Sequence, residues 1–140
     1  MTVSAISPSL PDRRLPLMVG MGVILWFAAA MMFRLLGPGI LAPGSAGLPL
    51  VFALFIPVGW VFLWVATTPL GIRGAVILPA VVIMLLTAML LDGLALTFFP
   101  ALYGLPTESL LIVAALLLWG VAWILLMAYV QTRRAETAAR

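Results

Sequence analysis

The sequence contains no cysteine, no histidine and no lysine, and only four of its residues are acidic. The absence of cysteine excludes disulfides and thiol redox chemistry. Without cysteine or histidine, the common zinc sites and a histidine-ligated haem are excluded as well. Four acidic residues are too few for a carboxylate cage around a hard cation. We therefore expect no metal and no other cofactor.

Charge of either sign is scarce, at 8% of the residues, with a formal net charge of +3. The arginines lie at the ends of apolar runs and form no patch, which argues against nucleic-acid binding and is typical of topology signals. The sequence has no phosphate-binding loop, nucleophile elbow or metal-binding motif. We expect no enzymatic activity, and an enzyme acting on lipid at the outer leaflet is the weakest alternative.

The sequence is rich in apolar residues, which make up 66% of the chain, and its mean hydropathy is +1.32. Soluble domains are nearer 45–50% apolar. About 20 apolar residues in a row cross a bilayer as a helix. The apolar runs therefore predict an all-α membrane protein with spans over about 16–37, 48–68, 74–99 and 107–130. A polar N-terminal tail over 1–15 and a polar C-terminal tail over 131–140 flank this membrane domain.

The connections between the spans are short, so we expect the four helices to form an antiparallel bundle. Arginine is commoner on the cytoplasmic side of membrane proteins, and this bias sets the orientation. Placing both termini in the cytoplasm leaves only Arg34 on the outer side. The arginines that then lie inside are Arg13, Arg14, Arg73, Arg133, Arg134 and Arg140. We expect a multi-pass protein of the bacterial inner (cytoplasmic) membrane.

Two opposite charges, Arg34 and Asp92, lie inside the predicted first and third spans. At a helical rise of ~1.5 Å per residue, Arg34 lies roughly 4–5 Å and Asp92 roughly 7–8 Å from the ends of their spans, in the same leaflet. A charge within a span is costly and usually has a partner or a task. We predict that the two residues form an intramembrane polar pair, with Glu108, Thr97 and Tyr103 as candidate neighbours at the outer face.

Three interpretations of this pair remain open. Arg34 reaches the outer headgroups while Asp92 caps backbone or water, or the two form a structural ion pair, or they form a substrate or proton site. The span interiors are otherwise almost free of polar residues, which favours a structural role.

The segments Phe33-Arg34-Leu35-Leu36-Gly37 and Leu91-Asp92-Gly93, within this four-span layout, resemble those of small bacterial membrane proteins of unknown function. The resemblance implies a four-span membrane fold and no particular activity. We expect a small structural or accessory membrane protein that packs with itself or with a larger complex in the lipid bilayer. The alternative is a small-solute or ion transporter that uses an Arg34/Asp92 site.

Overall fold

The computed structural model describes residues 12–140, so the predicted N-terminal tail lies outside the described residues as far as residue 11. The described part of the chain contains four long helices and no strand. Each helix is long and apolar enough to cross a membrane, which makes the chain a multi-pass membrane protein. The helices are α1 (Leu15–Leu36), α2 (Leu48–Thr67), α3 (Ile77–Phe98) and α4 (Thr107–Ala138). Helices suit these runs because every backbone polar group inside a helix is satisfied without water.

Two helix bounds differ from the predicted spans. Residues Gly74–Val76 form a 3-10 turn ahead of α3, and α4 continues well past residue 130 to Ala138. The extension of α4 is rich in alanine, arginine and glutamate, which favour helix. An exposed ion pair between Arg133 and Glu136, one turn apart at 3.5 Å, adds a small contribution. The predicted polar tail therefore prolongs the fourth helix instead of leaving it.

Helix α3 is the centre of the packing, because it lies against both α1 and α4. Helix α2 packs mainly on α4 and makes few contacts with α1 and α3. Helices α1 and α3 lie close together at Gly22, where an added Cβ would lie 2.6 Å from the Met84 carbonyl oxygen. Small residues allow two membrane helices to approach in this way. The main helix contacts therefore run in the order α1–α3–α4–α2, with α2 held mainly by α4.

Hydrogen bonds between segments fix which helix ends lie together. Arg14 Nη1 donates to the Leu70 carbonyl at 3.2 Å, and the Leu78 amide donates to Thr132 Oγ1 at 3.2 Å. The start of α1, the connection before α3 and the distal part of α4 therefore share one end of the bundle. Arg34 and the α3–α4 connection share the other end.

The buried apolar side chains fall into two clusters along the bundle. One cluster, near the Arg14 end, includes Met18, Leu63, Ala66, Ile72, Ile77, Ala80, Val81, Met84 and Ala128. The other, near the Arg34 end, includes Ala30, Phe33, Leu41, Ala95, Tyr103, Val113 and Leu116. Residues from both clusters line one cavity between the helices. This cavity positions the candidate site.

Candidate functional site

Asp92 is the one charged residue that is buried in the described part of the chain, with an exposure of 9%. It lies on α3, which carries it towards α1 and the α3–α4 connection. Tyr103 Oη donates a hydrogen bond of 2.7 Å to Asp92 Oδ1. Tyr103 is fully buried, on the connection that folds back under the bundle. A neutral hydroxyl donor therefore holds the buried carboxyl group. Tyr103 is one of the candidate neighbours predicted from the sequence.

The cavity beside Asp92 has a volume of about 80 Å³ and is lined by all four helices. Asp92 is the only charged residue among the lining side chains, which are otherwise apolar or aromatic. In the described residues, Oδ1 accepts from Tyr103 while Oδ2 has no hydrogen-bond partner. A carboxyl oxygen with unfilled bonding capacity thus lies at the wall of an apolar cavity. Apolar pockets with one or two polar groups are the usual form of small-molecule sites.

Trp26 on α1 lines the same cavity and carries a second unfilled polar atom. Its Nε1 is buried and lies towards Asp92 and Tyr103, but it does not reach full hydrogen-bond geometry with either side chain. An unsatisfied buried donor costs about 1–3 kcal/mol, so this atom is an unusual feature. The sequence interpretation had not included Trp26. The sequence signal for Trp26 is its position inside the predicted first span, because an indole buried there normally needs a hydrogen-bond partner for its N–H.

Arg34 does not pair with Asp92, which corrects the direct contact predicted from the sequence. Its Nη1 donates to the carbonyl oxygens of Ala101 and Leu102, at 3.0 and 2.9 Å. The ion pair that the described residues contain is on α4, away from this region. The physical reason is that Tyr103, on the α3–α4 connection, donates the hydrogen bond to Asp92. Arg34 is exposed and reaches the carbonyl groups of the 3-10 turn Pro100–Leu102 instead.

The α3–α4 connection therefore lies between the two charges and contacts both. Gly104 follows Tyr103 with a φ of +62°, a conformation that favours glycine, and an added Cβ there would lie 3.4 Å from Arg34 Cγ. Arg34 thus packs along the turn that presents the Tyr103 hydroxyl. Burial, and then the hydrogen bond to Asp92, raise the pKa of Tyr103 above its ordinary value. Tyr103 consequently remains a donor at neutral pH.

The structure does not bring the other two candidate neighbours to Asp92. Thr97 and Glu108 are both exposed, and neither side chain makes a hydrogen bond within residues 12–140. Glu108 lies in the first turn of α4, where the helix dipole favours an anion. The site at Asp92 therefore consists of Asp92, Tyr103 and Trp26, with Arg34 as a support of the turn behind it.

Comparison with known proteins gives a family without an assigned role. The family described as "Family of unknown function (DUF5367)" matches residues 40–135, which include α2, α3, most of α4 and both Asp92 and Tyr103. No curated protein and no solved structure matches the sequence.

Proposed function

The chain belongs to the DUF5367 family of unknown function, and we propose that it is a small membrane transporter that binds a largely apolar solute beside Asp92. The observation that carries this proposal is the Asp92 oxygen that lies without a partner at the wall of an apolar cavity. Charged residues inside membrane spans usually mark pathways or binding sites. Helix α2 makes few contacts with α1 and α3, which supports an opening of the cavity between α2 and these two helices. The proposal assigns no catalysis to the chain.

A cysteine-accessibility experiment tests the transport proposal, and the absence of native cysteine makes it clean. Ala88 lines the cavity on α3, and Leu86 on the same helix is 58% exposed on the outer surface of the bundle. A transporter must admit water to its site from at least one side of the membrane. We expect an Ala88→Cys variant to react with a charged methanethiosulfonate reagent and a Leu86→Cys variant to stay unreactive in lipid.

The outcome that contradicts the proposal is an Ala88→Cys variant that stays unreactive from both sides of the membrane. A Ser45→Cys variant in the exposed α1–α2 connection serves as the positive control, because the reagent must reach it in either case. If that control reacts while Ala88→Cys does not, the cavity is a packing defect and the transport proposal fails.

The second candidate function is that of an accessory membrane protein that packs against a second copy of itself or a larger complex. It is favoured by α2, which makes few contacts beyond α4 and exposes Leu54, Trp60 and Trp64 at 52%, 55% and 57%. Trp60 and Trp64 are one turn apart and share a face. A Trp60→Cys variant should form a disulfide between two copies in lipid if α2 is the interface. A Leu86→Cys variant that crosslinks equally well would indicate random collision.

The proposed topology is an antiparallel bundle with both termini in the cytoplasm of a bacterial cell. It is supported by the hydrogen bonds that group Arg14, Leu70 and Thr132 at one end, since most of the arginines lie towards that end. We predict that Ser45→Cys and Ala138→Cys label from opposite sides, with only Ser45→Cys accessible to an impermeant reagent in intact cells. Labelling of Ser45→Cys solely after lysis would reverse the orientation.

A further inference from the structure

We propose that the cavity at Asp92 binds a small apolar amine in its protonated, cationic form. This inference rests on the proposed function, because it requires that a solute enters the cavity. It adds the chemical class of that solute. Three features of the lining support it: the missing positive charge, the aromatic rings and the size of the space.

The first feature is a carboxylate without a cation. Among the described residues, no basic side chain lies within 4.0 Å of Asp92, and the donors that approach it are neutral: the Tyr103 hydroxyl at 2.7 Å and the nearby Trp26 indole N–H, which falls short of full hydrogen-bond geometry. Arg34, the basic residue expected to neutralise it, is bound to two backbone carbonyl groups instead. A carboxylate in a low-dielectric site attracts a cation more strongly than in water. The group that complements Oδ2 is therefore a positively charged donor, such as an ammonium.

The second feature is the aromatic character of the wall. Trp26, Phe33, Phe55 and Phe62 line the cavity, and the rings of Phe33 and Phe55 stack at 5.8 Å between α1 and α2. Aromatic faces attract cations, and tryptophan does so most strongly. The rest of the lining is aliphatic, with leucine, valine, methionine and alanine side chains. An ammonium group near Asp92 with a hydrocarbon body among these side chains satisfies both parts of the wall.

The third feature is the volume of about 80 Å³, which limits the ligand to a small molecule. A dry protein cavity of roughly 150 Å³ accommodates benzene, so the space at Asp92 is smaller than that. In proportion, a ligand of roughly three to four non-hydrogen atoms is close to the upper limit without movement of α2. Isopropylamine and propan-2-ol form a matched pair of probes, because they share the carbon skeleton and differ in charge and hydrogen bonding.

The experiment measures the thermal unfolding of the purified full chain in detergent with increasing amounts of each probe. A ligand that binds only the folded state raises the unfolding temperature by an amount that grows with the logarithm of its concentration relative to Kd. We expect isopropylamine to give the larger shift with the wild-type protein. In an Asp92→Asn variant its affinity should fall by roughly tenfold to a hundredfold, because a charge-assisted hydrogen bond is lost. A Glu108→Gln variant removes a carboxylate away from the cavity and should bind like the wild type.

Each possible result either supports or overturns the assignment of an amine to the cavity. An amine affinity that is equal in wild type and Asp92→Asn, or an alcohol that binds as well as the amine, overturns the amine assignment. If Asp92→Asn does not fold, the wild-type comparison suffices, since the charged amine partitions less into micelles and must still give the larger shift. Reactivity of Ala88→Cys without any preference for the amine removes this inference and leaves the transport proposal standing. An unreactive Ala88→Cys removes both.

Discussion

Replacing Gly22 with alanine tests how closely α1 and α3 are packed. The added Cβ would lie 2.6 Å from the Met84 carbonyl oxygen and 2.9 Å from Thr87 Cβ. The nearer atom belongs to the α3 backbone, which has no rotamer to change, so the helices must separate. Overpacking of this kind costs about 1–3 kcal/mol. Alanine favours the helix over glycine by about 0.5–1 kcal/mol, so we expect a net loss of about 1–2 kcal/mol.

The matched control is Gly20→Ala on the same helix, because an added Cβ there meets no atom within 4 Å. This variant gains the helix preference without the clash, so its stability should be unchanged or higher by up to about 1 kcal/mol. Both free energies of unfolding are measured by titration with a denaturing detergent in mixed micelles. Equal stability of the two variants would refute the close approach of α1 and α3 at Gly22.

Three further predictions concern the Asp92 end of the bundle. Tyr103→Phe removes the donor to Asp92 and should lower the free energy of unfolding by about 1–3 kcal/mol; unchanged stability in the same titration would contradict the hydrogen bond. Because the pKa of Tyr103 is raised above its ordinary value of 10.0, its contribution to stability is complete below that pH and is lost as the pH rises beyond it. The difference in stability between wild type and Tyr103→Phe should therefore shrink in alkaline buffer, and a constant difference would argue against the shift. Arg34→Met keeps an unbranched apolar stem but loses both bonds to the turn, so stability should fall by about 1 kcal/mol, with partial recovery in Arg34→Lys.

The four helices were accessible from the sequence because their signal is local. A run of about 20 apolar residues identifies a span without any knowledge of its neighbours. The end of α4 was harder to predict, because membrane hydropathy stops near residue 130 while helix propensity continues to Ala138. Hydropathy reports where the lipid ends, and only the propensity of the polar residues reports where the helix ends.

The contacts of Asp92 were less accessible, because they depend on the path of the α3–α4 connection. The depth estimate placed Arg34 and Asp92 in the same leaflet, and both do lie near the end of the bundle that holds this connection. Depth along a helix does not determine which face a side chain occupies. Gly104, at a φ of +62°, helps to turn the connection so that Tyr103 reaches Asp92 and the carbonyl groups face Arg34. The prediction compared only the depths of Arg34 and Asp92, so it did not include the α3–α4 connection that lies between them.

The choice of partner for Asp92 bears on whether the carboxylate is structural. A buried ion pair can usually be replaced by apolar residues without loss of stability, so a purely structural site has little need of a charge. An Arg34–Asp92 pair would also have neutralised the carboxylate and occupied its oxygens. Tyr103 instead fixes one oxygen and leaves both the negative charge and Oδ2 at the cavity wall. A buried carboxyl beside an indole N–H without full hydrogen-bond geometry is costly to the bundle, and the cation proposed above would offset part of that cost if Asp92 is ionised.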